Sequence, residues 1–359
     1  MTQLVSIACR PAENVILPAD MKHFMQRFVH DHNALRKYNF MVADNSIQTK
    51  YSVLKDFASN CIRPELFVAN ETEQPDTEKR MLVYRKHALP LLLQVALDAI
   101  NKSAIGSEKI TDIITVSCTG LYAPGLETEL LESLNLSADV NRFGVNFMGC
   151  YAAFHAFRLA KLIAVQNPEA VVLIASVELC TLHFRNDTSD DNILSTYLFG
   201  DGAAACLMAG KNVKTKSLAE MLNYQSSLVV EGKKDMQWLI GNHGFEMVLS
   251  NKISKHIQFS IKQIFEEFLA KNGMNSSTET DFCIHPGGKN ILKAFESAIG
   301  LRSDQLKASY DVLRDYGNMS SVSIFFVLEK ILEEKSQKPI YAVAFGPGLT
   351  LEQTLFQRN

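Results

Sequence analysis

The chain has 359 residues, 47% of them hydrophobic and 21% charged, with a formal net charge of -3 and a pI near 6.3. That length holds two domain-sized cores or one large fused core. The charge balance argues against a nucleic-acid-binding surface, although a local basic patch for a phosphate-bearing ligand remains compatible with it.

No apolar run reaches the length of a membrane span, and residues 1–8 are too short and too poorly flanked to read as a signal peptide. The seven cysteines (Cys9, Cys61, Cys118, Cys150, Cys180, Cys206 and Cys283) are odd in number and lack Cys-x-x-Cys spacing. A disulfide framework and a zinc site are therefore not expected, and a reducing, cytoplasmic setting is. His30-Asp31-His32 reads as a solvated loop rather than a metal site.

Along the chain, the polar stretch 70–80, with Glu71, Glu73, Asp76 and Glu78, predicts a solvated loop or a helix start. Ala88, Leu91, Leu92, Val95, Ala96 and Ala99 recur at helical spacing over 86–101, where Pro90 predicts a kink or a later start. A strand over 110–117 follows. A helix is predicted from Cys150 to about Gln166, stopped by Asn167-Pro168, and then a fully buried strand over 170–176. Gly200-Asp201-Gly202 makes a turn into a short apolar strand. Residues 211–221 are polar and lysine-rich and mark a seam between halves 1–211 and 212–359. Beyond it come a helix over 253–271, a strand over 282–285, a helix over 322–334 and a strand over 340–345. The class is α/β, and the similar order of the two halves predicts a duplicated, pseudo-twofold fold.

Three distant segments carry chemistry. Gly149-Cys150 opens an apolar helix, whose positive end would lower a thiol pKa. His285 ends a strand and enters Pro286-Gly287-Gly288, a sharp turn at the edge where open α/β sheets place their chemistry. Asn318 stands between Gly317 and Ser320-Ser321, and its amide supplies donors but no base. A buried cysteine, a turn histidine and a capping asparagine would each be ordinary alone. Together, cysteine, histidine and asparagine suggest acyl chemistry through a thioester. The two nitrogen donors suit the enolate formed when a malonyl thioester loses carbon dioxide.

With their flanking residues, these segments resemble the type III polyketide synthases, the chalcone-synthase-like branch of the thiolase fold, from about Tyr51 onward. The resemblance rests on Phe147-Met148-Gly149-Cys150-Tyr151-Ala152-Ala153, Leu198-Phe199-Gly200-Asp201-Gly202-Ala203-Ala204-Ala205, His285-Pro286-Gly287-Gly288, Tyr316-Gly317-Asn318-Met319-Ser320-Ser321 and Phe345-Gly346-Pro347-Gly348-Leu349-Thr350. It implies a thiolase-like duplicated αβαβα fold and a homodimer. It also implies a buried cavity reached by a coenzyme A tunnel, with malonyl-CoA and acyl-CoA as substrates and no tightly bound cofactor or metal.

Carried over, Cys150 is the acylated nucleophile, His285 its activator and Asn318 the partner of His285 in stabilising the enolate. Phe199 resembles a gatekeeper ring, and Met247 stands where a second gatekeeper aromatic is common. Cys118, Thr119 and Ala123 fall on the dimer-contact loop that reaches toward the cavity, and Cys180 and His183 on the flanking strand. Phe345, Gly346 and Pro347 belong to the loop that shapes cyclisation, which here begins with Ala344. The expected phosphate-binding cluster is thin. Lys37 fits it and Lys50 is a further candidate, but Phe40 and Asp44 fall where cations are common. An acyl carrier protein is therefore an alternative donor to coenzyme A.

Small residues at Thr119, Ala123 and Cys180 predict a channel for a medium- or long-chain acyl starter, extended with malonyl units and cyclised to an alkylpyrone, alkylresorcinol or related polyketide. A β-ketoacyl-(acyl carrier protein) synthase III-like single condensation and a non-catalytic acyl-binding protein are the alternatives. A hydroxymethylglutaryl-type synthase is disfavoured because no candidate acid stands out.

Overall fold

Alternating buried strands and amphipathic helices give the chain its layers. The structure, a computed structural model, describes residues 2–68, 74–250, 252–274 and 279–359. Glu71 and Glu73 of the predicted polar loop lie outside the described residues.

The strands are β1 (Thr2–Pro11), β2 (Asn14–Ile16), β3 (Lys50–Ser52), β4 (Asp112–Ser117), β5 (Asn141–Asn146), β6 (Val171–Leu179), β7 (Asp201–Gly210), β8 (Ala219–Leu228), β9 (Met236–Gly241), β10 (Gly244–Leu249), β11 (Asp281–Ile284), β12 (Ile340–Gly346) and β13 (Thr350–Arg358). The helices are α1 (Pro18–Phe28), α2 (His32–Ala43), α3 (Thr77–Ser103), α4 (Leu126–Ser133), α5 (Ala152–Gln166), α6 (Asp190–Leu198), α7 (Ile253–Lys271), α8 (Lys289–Ile299), α9 (Lys307–Tyr316) and α10 (Ser323–Glu333).

One nine-stranded mixed sheet runs β11-β12-β13-β8-β1-β7-β6-β4-β5. It repeats one plan twice. β4 is parallel to β6, β6 antiparallel to β7, and β7 antiparallel to β1. β11 is likewise parallel to β12, β12 antiparallel to β13, and β13 antiparallel to β8. β1 and β8 join the two runs through Gln3↔Glu220 and Leu4↔Ala219, and β5 extends the first run at its outer edge. This is the duplicated α/β fold the sequence predicts.

α5 and α10 precede corresponding strands of the two runs and pack against each other. Phe157 of α5 lies 5.2 Å from Phe325 of α10 and 5.7 Å from Phe356 of β13, ring centre to ring centre. Ala152, Ala153, Ala156, Ala160 and Ala164 give α5 a buried face of short side chains, which admits close neighbours. Each of these buried phenylalanines contributes on the order of 1.5–3 kcal/mol by leaving water.

Two element boundaries differ from expectation. The helix over 86–101 begins earlier, at Thr77, where the Asp76 carboxylate accepts from the Lys79 N–H at 2.8 Å, and it runs through Pro90. Pro90 and Lys86 both face solvent, so water can take the carbonyl that the proline leaves without a donor. α5 begins at Ala152 rather than Cys150, because the Ala152 N–H closes a tight turn on the Gly149 carbonyl at 2.9 Å. Asp31 caps α2 by accepting from the Ala34 N–H at 2.7 Å, which accounts for the His30-Asp31-His32 motif. Among the described residues there is no His/Cys/Asp/Glu cluster fit for a metal and no helix long and apolar enough to cross a membrane.

Candidate active site

Within each run the parallel strands end on one edge of the sheet, and the five antiparallel pairings from β6 to β12 set the two runs in opposite directions. Cys118 follows β4, Phe147 follows β5 and Cys180 follows β6 in the first run; His285 follows β11 and Pro347 follows β12 in the second. Cys118, Cys180 and Pro347 line one cavity, so carboxyl ends of strands from both runs contribute to it, as in the ligand sites of α/β folds.

Cys150 stands on the turn before α5. Phe147 (φ 60°) and Gly149 (φ 83°) adopt left-handed backbone there, and the Gly149 N–H donates to Cys118 Sγ at 3.0 Å. The thiol is 9% exposed. Burial pushes it up to about 12; hydrogen bonds from the Ser320 and Asn318 side chains pull it down, and the charge of Glu178 pushes it further up. The expected lowering by the helix end is thus not realised. Cys150 lies two residues ahead of the helix, and desolvation of the charged form dominates. Its thiolate needs a proton acceptor.

His285 stands at the end of β11. Its backbone N–H donates to the Val343 carbonyl at 2.9 Å, which fixes the ring at the end of β11. The ring is 1% exposed, and neither ring nitrogen has a partner among the described residues. Burial lowers it to about 3. Fully buried polar atoms without partners are rare, and in a cavity they are atoms a substrate can satisfy.

Asn318 ties the segments together. Its N–H donates to the Leu198 carbonyl at 2.8 Å, and its carbonyl accepts from the Gly200 N–H at 3.0 Å. Its Oδ1 accepts from the Ser320 N–H at 2.8 Å, which leaves Nδ2 as a donor, 3.5 Å from the Gly287 carbonyl. The amide thus lowers the Cys150 pKa and reaches the turn that carries His285.

Gly149, Cys150 and Ser320 border a cavity whose free space, mouth included, is about 790 Å³; His285 and Asn318 stand behind its lining. Phe199, Met247, Cys118, Thr119, Cys180, His183 and Pro347 line it. Ala123 does not: it is exposed on its loop. Phe345 packs 6.3 Å from Phe295 in the core, and Gly346 lies under the Tyr151 ring, so neither reaches the cavity. Every position of β12 is buried, and burial on both faces hides which side chains point to a site.

Lys37 is exposed and paired with Asp190 at 2.5 Å. Lys50 does not face a phosphate-bearing surface. It is buried in the cavity wall, its ammonium donates to the Thr196 carbonyl and, at 3.5 Å, to that of Tyr197, and burial lowers it to about 8. Asp44 is held by Lys289 at 2.7 Å.

Several residues escaped sequence reasoning. Ser320 lowers the Cys150 pKa from a left-handed backbone (φ 48°), and the Asn-x-Ser run was its one signal. Trp238 and Phe245 line the cavity from the β9–β10 hairpin. Glu178 is a fully buried acid beside Cys150 that was overlooked in the search for an acid. Burial raises its pKa, and its oxygens accept from the Cys118 N–H, the Thr119 hydroxyl (both at 2.9 Å) and the Ser321 hydroxyl.

A duplicated α/β fold with a buried thiol near an amide, and a buried, partnerless imidazole on the turn that amide reaches, fits an acyl-transferring condensing enzyme. Family comparison narrows the class. The model of the chalcone and stilbene synthases, N-terminal domain, matches residues 3–212, and that of the C-terminal domain matches residues 220–358. The chain belongs to this family, the type III polyketide synthases, and is an acyltransferase of the condensing type.

It is 34% identical over 286 residues to the alpha-pyrone synthesis polyketide synthase-like Pks18 of Mycobacterium tuberculosis, a match covering 77% of this chain and 72% of that one. It is 31% identical over 277 residues to a polyketide synthase of Dictyostelium discoideum; this covers 75% of the chain but 9% of that much longer protein. The solved structure of PKS-I from the brown alga Ectocarpus siliculosus superposes with a TM-score of 0.93 at 27% identity, covering 100% of this chain and 98% of that one.

Proposed function

We propose that the chain loads an acyl starter onto Cys150 and extends it with malonyl-CoA by decarboxylative Claisen condensation. It then releases the product as an alkylpyrone, alkylresorcinol or related ring. The observation that carries this reading is the Asn318 amide, which lowers the Cys150 pKa and whose donor end reaches the His285 turn at the Gly287 carbonyl.

His285 accepts the thiol proton as the sulfur attacks the starter thioester, and coenzyme A leaves as the thiol. Loss of carbon dioxide from the malonyl thioester leaves an enolate whose oxygen receives hydrogen bonds from His285 and Asn Nδ2 of Asn318. Its carbon forms the new C–C bond to the acyl carbonyl, the C–S bond to Cys150 breaks, and the sulfur is free to accept the lengthened chain.

Phe199 and Met247 act as gate and wall, and Thr119 and Cys180 leave space for an apolar chain. In support, the cavity wall continues into Phe57 and Phe184, which belong to a phenylalanine cluster with Phe24 and Phe67. The pyrone product named for Pks18 agrees with this reading. Lys37 serves the coenzyme A phosphates by exchanging its partner Asp190. The halves 1–211 and 212–359 act as paired units, and the chain forms a homodimer. In favour of the dimer, β5 pairs on one side with β4, and its other edge belongs to an exposed strand with Phe143 at its surface.

The test is mass spectrometry of products from malonyl-CoA with starters from acetyl- to stearoyl-CoA and aromatic acyl-CoAs, with Cys150→Ala as control. Pyrones or resorcinols from wild type alone are expected. A single β-ketoacyl product would instead favour one-step condensation.

A further inference from the structure

A second cavity opens behind the wall of the first. Its free space, mouth included, is about 890 Å³, and the two have no lining residue in common. The short helical turn Lys55–Phe57 stands between them. Phe57 lines the cavity at Cys150, whereas Lys55 and Asp56 line the second. Glu13, Arg63, Glu65 and His87 add further polar groups to its wall.

Most of the acids there are already engaged. The Asp56 carboxylate is fully buried and accepts from the backbone N–H groups of Glu65 and Leu66 at 2.8 Å each and of Phe67 at 2.7 Å. Glu65 is held by Lys86 at 2.7 Å and by His87 at 3.1 Å. The cations are not engaged. Lys55 and Arg63 are exposed, and among the described residues neither has an ion-pair or hydrogen-bond partner. Glu13 is the remaining acid of the wall, and it too lacks a partner among the described residues.

The two cations belong to one built unit. Lys55 immediately precedes Asp56, and Arg63 lies two residues ahead of the first amide that Asp56 binds. The three-amide clamp on the buried carboxylate therefore folds residues 58–67 back over the turn and brings both cations to one concave wall. A concave wall focuses the field of its charges. An ammonium and a guanidinium held in place lose little further freedom when they bind, and charge-assisted hydrogen bonds to an oxyanion are the strong ones.

We propose that this second cavity binds a small oxyanion, a carboxylate or phosphate group of a polar molecule, between the Lys55 ammonium and the Arg63 guanidinium. The site is separate from Cys150 and independent of the condensation chemistry, so its test needs no turnover.

The test is calorimetric titration of the full chain with inorganic phosphate and, separately, with citrate, at near-physiological salt. Saturable binding of one anion per chain is expected, and whichever of the two binds more tightly tells phosphate from carboxylate recognition. Lys55→Ala and Arg63→Ala should each weaken it roughly ten- to hundredfold, the effect of one hydrogen bond to a charged group. Lys55→Arg should keep it, and Glu13→Gln, which removes a like charge from the wall, should tighten it. Lys37→Ala, on a different surface, should leave it unchanged. Both alanine replacements are of exposed side chains, and thermal melts confirm that each variant is folded. The proposal is overturned if neither anion binds, if binding survives both alanine replacements, if Lys37→Ala abolishes it, or if Glu13→Gln weakens it.

Discussion

Gly149 and Pro347 are in such close contact that a β-carbon on Gly149 would fall 2.2 Å from Pro347 Cδ. The residue before Cys150 is thus sealed by a loop from the far half of the chain. Gly149 also holds φ 83°, where a side chain is strained by about 1–2 kcal/mol. Overpacking adds about 1–3 kcal/mol. Gly149→Ala is therefore expected to lower the melting temperature and to displace Cys150. Thermal unfolding together with acylation of Cys150 checks this, and a fully active, equally stable variant would contradict it.

Loading and decarboxylation should separate. Cys150→Ala removes the acyl acceptor but leaves the His285 and Asn318 donors, so it should still release carbon dioxide from malonyl-CoA while making no product. Asn318→Ala should still be acylated but lose decarboxylation by about 10²–10³-fold, the usual effect of one oxyanion donor. Radiolabelled carbon dioxide release and intact-protein mass spectrometry read the two steps.

The Ser320 hydroxyl and the Asn318 amide both pull the Cys150 thiol downward. Ser320→Ala should then move the pH midpoint of Cys150 alkylation by iodoacetamide upward, by about half a unit to one unit for one lost hydrogen bond. Ser320→Gly, which relieves the left-handed backbone, should shift it equally. A shift confined to the alanine variant would assign the effect to backbone strain.

Acid should weaken the fold in a defined window. His183 and His285 are both held near 3 when folded, below the ordinary value of 6.5. Above about 6.5 both states carry neutral rings. As pH falls from 6.5 toward 3, the unfolded chain takes up protons that the folded chain refuses, so stability declines by about 1.4 kcal/mol per pH unit per histidine. Urea melts across this range should show the slope reduced by about one proton in His285→Gln.

Thr119→Phe and Cys180→Phe fill the wall proposed to admit an acyl chain. Each should shift starter preference toward shorter acyl-CoAs in a competition assay. Unchanged chain-length preference would remove the channel from the proposal.

The turns at Cys150, His285 and Asn318 were legible because each residue sits in a short motif whose glycines dictate the local backbone. Lys50 misled because lysine ordinarily marks a surface, whereas here its stem packs beneath Gly200 and Gly317 and its ammonium caps the end of α6. The His183 contact with Phe245 spans 62 positions and depends on how a hairpin docks, which no local pattern encodes. Glu178 lay within an apolar strand and gave no periodic signal of its own, since every position of β6 is buried.

The repeated sheet plan has a consequence for how such a site can arise and be taken apart. The turn before α5 and the turn before α10 occupy the same slot in two copies of one topology, yet one holds Cys150 and the other Asn318. Neither copy holds all the groups of the proposed chemistry. A chain cut between β7 and β8 would yield two fragments that are each chemically mute, and turnover on mixing them would report directly on their reassembly.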